Sequence, residues 1–209
     1  MKREWLTLPR GATFEIGAHV GRFCSAVITA MIPEHPLFVV SEIPNYHYVG
    51  DGEIELAGLT TVEWAELVVR EWHSYAGTTA CLAWVAPDTE FAKEVLRSKL
   101  RLRKNLGRGP ELRTEILREY FLEKKIFFTP WLSILPAEVM KAHWPPEESS
   151  AYQVRAVGSD YTLNALEMVV SRRPKARSIY SQPIATWKTR MQQERGILVA
   201  KSDSHLGNG

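Results

Sequence analysis

Six cations, Arg97, Lys99, Arg101, Arg103, Lys104 and Arg108, fall within twelve positions of the run RSKLRLRKNLGRG. Such a density can neutralise the phosphates of a nucleic acid and release their condensed counterions. It equally suits a solvated helix face near a C-terminal end, where the helix dipole favours positive charge. Alternate-residue spacing would spread these charges around a helix instead of gathering them into one stripe. A second group, Tyr46, His47, Tyr48 and Asp51 in EIPNYHYVGDGEIEL, offers rings that stack on a base or sugar or that cover a sheet edge, the second being favoured. Asp88 and Asp160 each stand just ahead of a helical pattern, where a carboxylate serves as an N-cap.

Several chemistries find no footing. The sequence has no G-x-x-x-x-G-K-[ST] loop for an ATP-driven motor and no G-x-S-x-G elbow for a serine nucleophile. Its six histidines are scattered and its two cysteines, Cys24 and Cys81, are far apart, so no zinc spacing exists. Both cysteines sit in apolar segments and read as buried thiols of a protein kept in a reducing compartment. The start, MKREWLTLPRG, lacks the apolar core of a secretory signal, and no run reaches the roughly 18 apolar residues of a membrane span. A soluble protein of the cytoplasm, or part of a particle assembled in a cell, is expected. The net charge of +2 hides an asymmetry: residues 1–90 hold 5 Lys/Arg and 12 Asp/Glu, a balance of −7, and residues 91–209 hold 21 and 12, a balance of +9. The second half is the one suited to a polyanion.

The elements that must position these residues follow from periodicity. ATFEIGAH and CSAVITAMI are β-rich runs joined by VGRF as a hairpin, and PLFVVSEI is a third strand ended by Pro44. After the polar excursion of residues 45–59, Thr60 and Glu63 make a capping box, and Trp64, Val68, Trp72 and Tyr75 recur at helical spacing. TACLAWVAP is a strand ending at Pro87, followed by a helix over EFAKEVLRSKLRLRK, a βα unit. Pro110 opens another helix with Leu112, Ile116, Leu117, Tyr120 and Phe121 on its apolar face. IFFT is a short buried strand, PAEVMKAHW a short helix and YQVRAV an edge strand. TLNALEMVVSRR is the last helix, with Leu163, Leu166, Val169 and Val170 inward. The order β β β α β α α β α matches a ribonuclease H-like plan, an α/β mixed sheet flanked by helices, better than a uniform doubly wound sheet.

From Arg172 onward the chain carries eight Lys/Arg against two acids and two prolines. This predicts a domain over residues 1–173 and a basic C-terminal extension over 174–209, in which Ile179, Tyr180, Ile184 and Trp187 are apolar anchors. The extension is suited to nucleic acid or to a neighbouring subunit, with a plain flexible tail as the alternative.

Three fragments, FEIGAHVGRFCSAVI, TACLAWVAPDTEF and GSDYTLNALEMVVS, resemble in order and approximate spacing the three active-site segments of the nuclease domain of viral and phage terminase large subunits, within the ribonuclease H-like superfamily. The similarity spans residues 12–172. It implies double-stranded DNA as substrate, DNA packaging as context, and Mg²⁺ or Mn²⁺ as cofactor. Carboxylates must converge there to hold two divalent ions about 3.5–4 Å apart, and such hard ions select oxygen ligands. On the matching positions, the resemblance puts His19 where the first acid is expected, Asp88 at the second after a two-residue slip from Ala86, and Asp160 at the third, with Tyr161 and Asn164 in place of the neighbouring acid or histidine.

The catalytic set is thus His19, Asp88 and Asp160, with Asp88 and Asp160 as metal ligands. Two carboxylates are too few for a standard ion pair unless Glu15 or Glu42 turns inward. Two readings remain open. One is a metal-dependent endonuclease with a reduced site; the other is a non-catalytic viral DNA-binding or assembly protein, needing no cofactor, on a degenerate nuclease fold. Either acts without a membrane, in the host cytoplasm or beside a viral particle, with the extension available to other packaging or virion proteins.

Overall fold

The computed structural model describes residues 12–32, 35–50, 53–75, 79–85, 90–100, 102–103, 110–142 and 160–173. The chain divides into two units, Met1–Arg173 and Pro174–Gly209. All the described residues belong to the first, so the extension, with its anchors, lies outside them. The elements in order are β1 (Thr13–Val20), β2 (Ser25–Met31), β3 (Leu37–Pro44), β4 (Tyr46–Val49), β5 (Glu53–Leu56), α1 (Thr61–Ser74), β6 (Thr79–Val85), α2 (Glu90–Lys99), β7 (Leu102–Arg103), α3 (Pro110–Leu122), β8 (Ile126–Phe128), α4 (Ile134–Lys141) and α5 (Tyr161–Val170).

Six strands form one mixed sheet in the order β7-β6-β1-β2-β3-β8. The first three make an antiparallel meander, with Ile16 opposite Ile28 and Ala26 opposite Ile43. β6 returns parallel to β1 after crossing through α1, and β8 runs parallel to β3. This is the α/β, ribonuclease H-like sheet expected from the element order.

Strand alternation assigns the two faces of the sheet. Ile16, Ala18 and Val20 of β1 and Ala26, Ile28 and Ala30 of β2 share one buried cluster with Trp64, Ala65, Val68 and Trp72 of α1 and Ala92 and Leu96 of α2. Burial of each large side chain there is worth about 1.5–3 kcal/mol. The Trp64 indole keeps its polar atom satisfied by donating to the Ile43 carbonyl at 2.7 Å. The intervening residues, Gly17 and Ser25 among them, face α5, in which every residue from Ala165 to Val170 is buried. At the start of α1 the expected capping box forms, the Glu63 amide donating to the Thr60 hydroxyl and the Thr60 amide to the Glu63 carboxylate.

Four expectations need correction. The helix after β6 stops at Lys99 instead of running to Lys104, because Leu102 and Arg103 pair with Ala80 and Cys81 as β7. Residues 45–59 are not all loop: β4 and β5 form a separate antiparallel hairpin, pinned where the Ala57 amide donates to the Asn45 carbonyl. The IFFT strand is an edge with Phe127 at 47% exposure, so it is buried only in part. Helix α4 begins two residues before Pro136 because the Glu42 carboxylate accepts from the amides of Ser133, Ile134 and Leu135 at 2.6–2.9 Å, a cap supplied from β3 that local sequence does not reveal. The segment YQVRAV and the side chain of Cys81 lie outside the described residues; Cys24 is a buried thiol that donates to the Gly21 carbonyl at 3.1 Å.

Gly17 is where sheet and helix touch most closely. A Cβ at that position would lie 2.1 Å from the Ala165 carbonyl oxygen and 2.9 Å from a Val169 methyl. The first of these is backbone and cannot rotate away. Gly17→Ala is therefore expected to lower unfolding free energy by about 2 kcal/mol or more, read as a shift of the urea midpoint.

Candidate functional site

Where β1 turns into β2, the N-terminus of α5 meets the sheet. Asp160 occupies the N-cap position of α5, but its backbone is not extended (φ −121°, ψ 35°) and its side chain makes no capping bond. The anticipated role of Asp160 as a side-chain cap is corrected accordingly. Its carboxylate instead accepts from the Asn164 amide at 3.3 Å, the local bond that Asn164 makes one turn on.

Other residues take over the capping. The Thr162 amide donates to the Tyr46 hydroxyl at 3.2 Å, and the Leu163 amide donates to the Glu138 carboxylate at 2.7 Å. The Tyr46 hydroxyl donates to the other Glu138 oxygen at 2.5 Å and shares a 2.7 Å bond with the Thr162 hydroxyl, which shares a 2.8 Å bond with Ser25. Each hydroxyl carries one proton. While Glu138 is ionised, Tyr46 spends its own on it, so Thr162 donates to Tyr46 and Ser25 to Thr162, and the chain of donors runs from β2 through α5 and β4 to α4. All four residues are buried.

Burial governs the titration of this cluster. Desolvation pushes Glu138 up from the ordinary 4.5 to about 7, against hydrogen bonds from Tyr46 and the α5 backbone that favour the carboxylate. The Tyr46 phenol is raised by the same desolvation and by the Glu138 charge. His19, at the end of β1, is lowered by burial, an effect partly opposed by the Asp160 charge. Its ring lies 5.4 Å from that of Tyr161.

His19 and Asp160 are thus brought together, and Asp88 lies outside the described residues. The two reserve acids do not join them. Glu15 pairs with Arg173 at 3.0 Å, and Glu42 caps α4. Among the described residues no three His, Cys, Asp or Glu side chains gather into an ion-holding group. The described donors therefore do not fit a pair of divalent ions. Of the basic run, Arg97 and Lys99 are exposed on the last turn of α2 and Arg103 falls in β7; Arg101, Lys104 and Arg108 lie outside the described residues. Sequence reasoning missed Glu138, Ser25 and Thr162 because nothing in their neighbourhoods marks them. Tyr46 was singled out, and it covers the site from within.

The fold defined by this sheet and by α5 is that of terminase nuclease domains. The structure is similar to the nuclease domain of the large terminase of bacteriophage SPP1, solved with bound Mn, at TM-score 0.55 and 13% identity over 78% of this chain and 88% of that one. It is similar also to the large terminase of a thermophilic bacteriophage in complex with ATP-γ-S, at TM-score 0.54 and 15% identity over 78% of this chain. The match spans 41% of that second protein's length. No family profile and no curated protein matches the sequence. Among the described residues no helix is long and apolar enough to cross a membrane.

The raised Glu138 value fixes the sign of a pH effect. Between pH 4.5 and about 7 the folded state holds a proton that the unfolded state has released. The associated stability is complete below pH 4.5 and declines as pH rises toward 7. Urea unfolding across this range should show that decline in the unmodified chain and a flatter profile in Glu138→Gln.

Proposed function

We propose that this chain serves phage DNA packaging as a terminase-nuclease-like domain that contacts double-stranded DNA, with metal-dependent cleavage lost. One observation carries the second half of the reading: among the described residues, the other carboxylates that could have joined Asp160 already have structural duties elsewhere. Glu138 caps α5, Glu42 caps α4 and Glu15 holds Arg173, which leaves Asp160 beside a histidine and an asparagine. The fold and the basic second half of the sequence support the first. Exposed Arg97 and Lys99 are the phosphate contacts proposed on the described residues, joined in sequence by Arg101, Arg103, Lys104 and Arg108. The setting is the host cytoplasm or a viral particle, with residues 174–209 meeting other packaging or virion proteins.

A reduced endonuclease is the second reading, favoured by the Asp160 carboxylate, an oxygen ligand of the kind a single Mg²⁺ or Mn²⁺ ion selects, whose charge is felt at His19.

Supercoiled plasmid incubated with Mn²⁺, Mg²⁺ or chelator separates the two. The first predicts salt-sensitive retardation with no nicking in any lane; Mn²⁺-dependent nicking that Asp160→Ala abolishes would establish the second instead. Substituting Arg97 and Lys99 by alanine should weaken duplex binding evenly across sequences and reduce the slope of log K against log salt by about 2. An unchanged slope would remove them from the interface.

A further inference from the structure

Beside the α5 N-terminus the aromatic side chains form a continuous run. Tyr161 lies 5.2 Å from Phe23, Phe23 5.9 Å from Tyr46, and Tyr46 6.4 Å from Tyr48, ring centre to ring centre. Buried Tyr46 is the middle of the run, and half-buried Phe23 and Tyr48 flank it. Each flanking ring carries an exposed cation. The Arg22 guanidinium stands 5.4 Å from the Phe23 ring centre, and the Lys141 ammonium 4.5 Å from that of Tyr48.

Three different elements supply this arrangement: the β1–β2 turn gives Arg22 and Phe23, β4 gives Tyr48, and α4 gives Lys141. Charge is sorted as well. In the β4–β5 hairpin, Tyr46 and Tyr48 are paired with Leu56 and Ile54, whereas His47 and Val49 are paired with Glu55 and Glu53. By alternation Glu53 and Glu55 project from the opposite face of the hairpin, and the acids on the tyrosine side, Glu138 and Asp160, are engaged by Tyr46 and the Leu163 amide and by Asn164.

We propose that Phe23 and Tyr48, with Arg22 and Lys141, form a binding site for unpaired DNA, the rings stacking on bases and the cations meeting the adjacent phosphates. Aromatic rings next to cations are how single strands are held without sequence preference, since every base offers a π-face. Duplex bases are stacked on each other and cannot use such rings; a strand end or a locally opened step can. The site therefore selects the unpaired parts of the DNA that the reading above brings to this domain, and it rests on that reading.

Anisotropy of the full chain with three labelled probes tests it: a single strand of about 12 nucleotides, the same backbone with abasic sites, and a blunt duplex. The base-bearing strand should bind about tenfold or more tighter than the abasic one. Phe23→Leu and Tyr48→Leu should bring these two together while duplex binding holds. Arg22→Ala and Lys141→Ala, at exposed positions, should weaken both single strands alike and each lower the salt slope by about 0.7. Equal binding of base-bearing and abasic strands by the unmodified chain overturns the proposal without recourse to any variant. The duplex lane keeps the two readings apart: duplex bound with no base dependence sinks this site alone, base dependence without duplex binding sinks the duplex reading alone, and no binding to any probe sinks both.

Discussion

The cap that Glu138 places on α5 is the interaction on which the rest of this unit depends. Helix α5 leaves its first amides without intrahelical partners at a buried end, where an unmade hydrogen bond costs about 1–3 kcal/mol. Its own N-cap residue does not bond them. A carboxylate from α4 and a phenol from β4 do, and the hydroxyls of Thr162 and Ser25 extend the connection to β2. One satisfied polar chain thereby ties two helices, the hairpin and the central sheet at one point. Because it is buried, each member is held by the cost of leaving the others unpaired.

That point lies in the third of the three sequence segments that resemble terminase nuclease motifs. Charge is present there, but it is directed at backbone amides and a phenol instead of toward a shared centre. The trade is electrostatically sensible. A helix N-terminus carries partial positive charge, so one carboxylate beside it offsets the helix dipole without a metal ion. Asp160, released from capping, turns to Asn164 and lies close enough to His19 for its charge to be felt there. The polar chain also holds Tyr46 in the middle of the aromatic run, with Phe23 and Tyr48 at its sides.

Much of the frame was legible in the sequence. The three-strand start, the capping box of Thr60 and Glu63, the tryptophans of α1 and the inward face of α5 all follow from period-2 or period-3.6 patterns and from local hydrogen bonding, which are properties of neighbouring residues. The elements that escaped depend on distant partners. β7 exists because β6 offers an edge to Leu102, α4 starts early because Glu42 reaches it from β3, and the hairpin of β4 and β5 is closed by pairing that a polar, glycine-punctuated stretch does not advertise.

The same division runs through the site. By itself the sequence determined the residue types available: few carboxylates near the three nuclease-like segments, a histidine at position 19, an asparagine at 164, and cations concentrated in the second half. It determined the α/β order as well, because hydrophobic periodicity is written locally. Only the tertiary structure decided which carboxylate meets which donor. Glu15, Glu42, Glu138 and Asp160 are chemically near-equivalent in the sequence, and they part company through burial, helix ends and the closeness of Arg173, none of which exists until strands and helices pack.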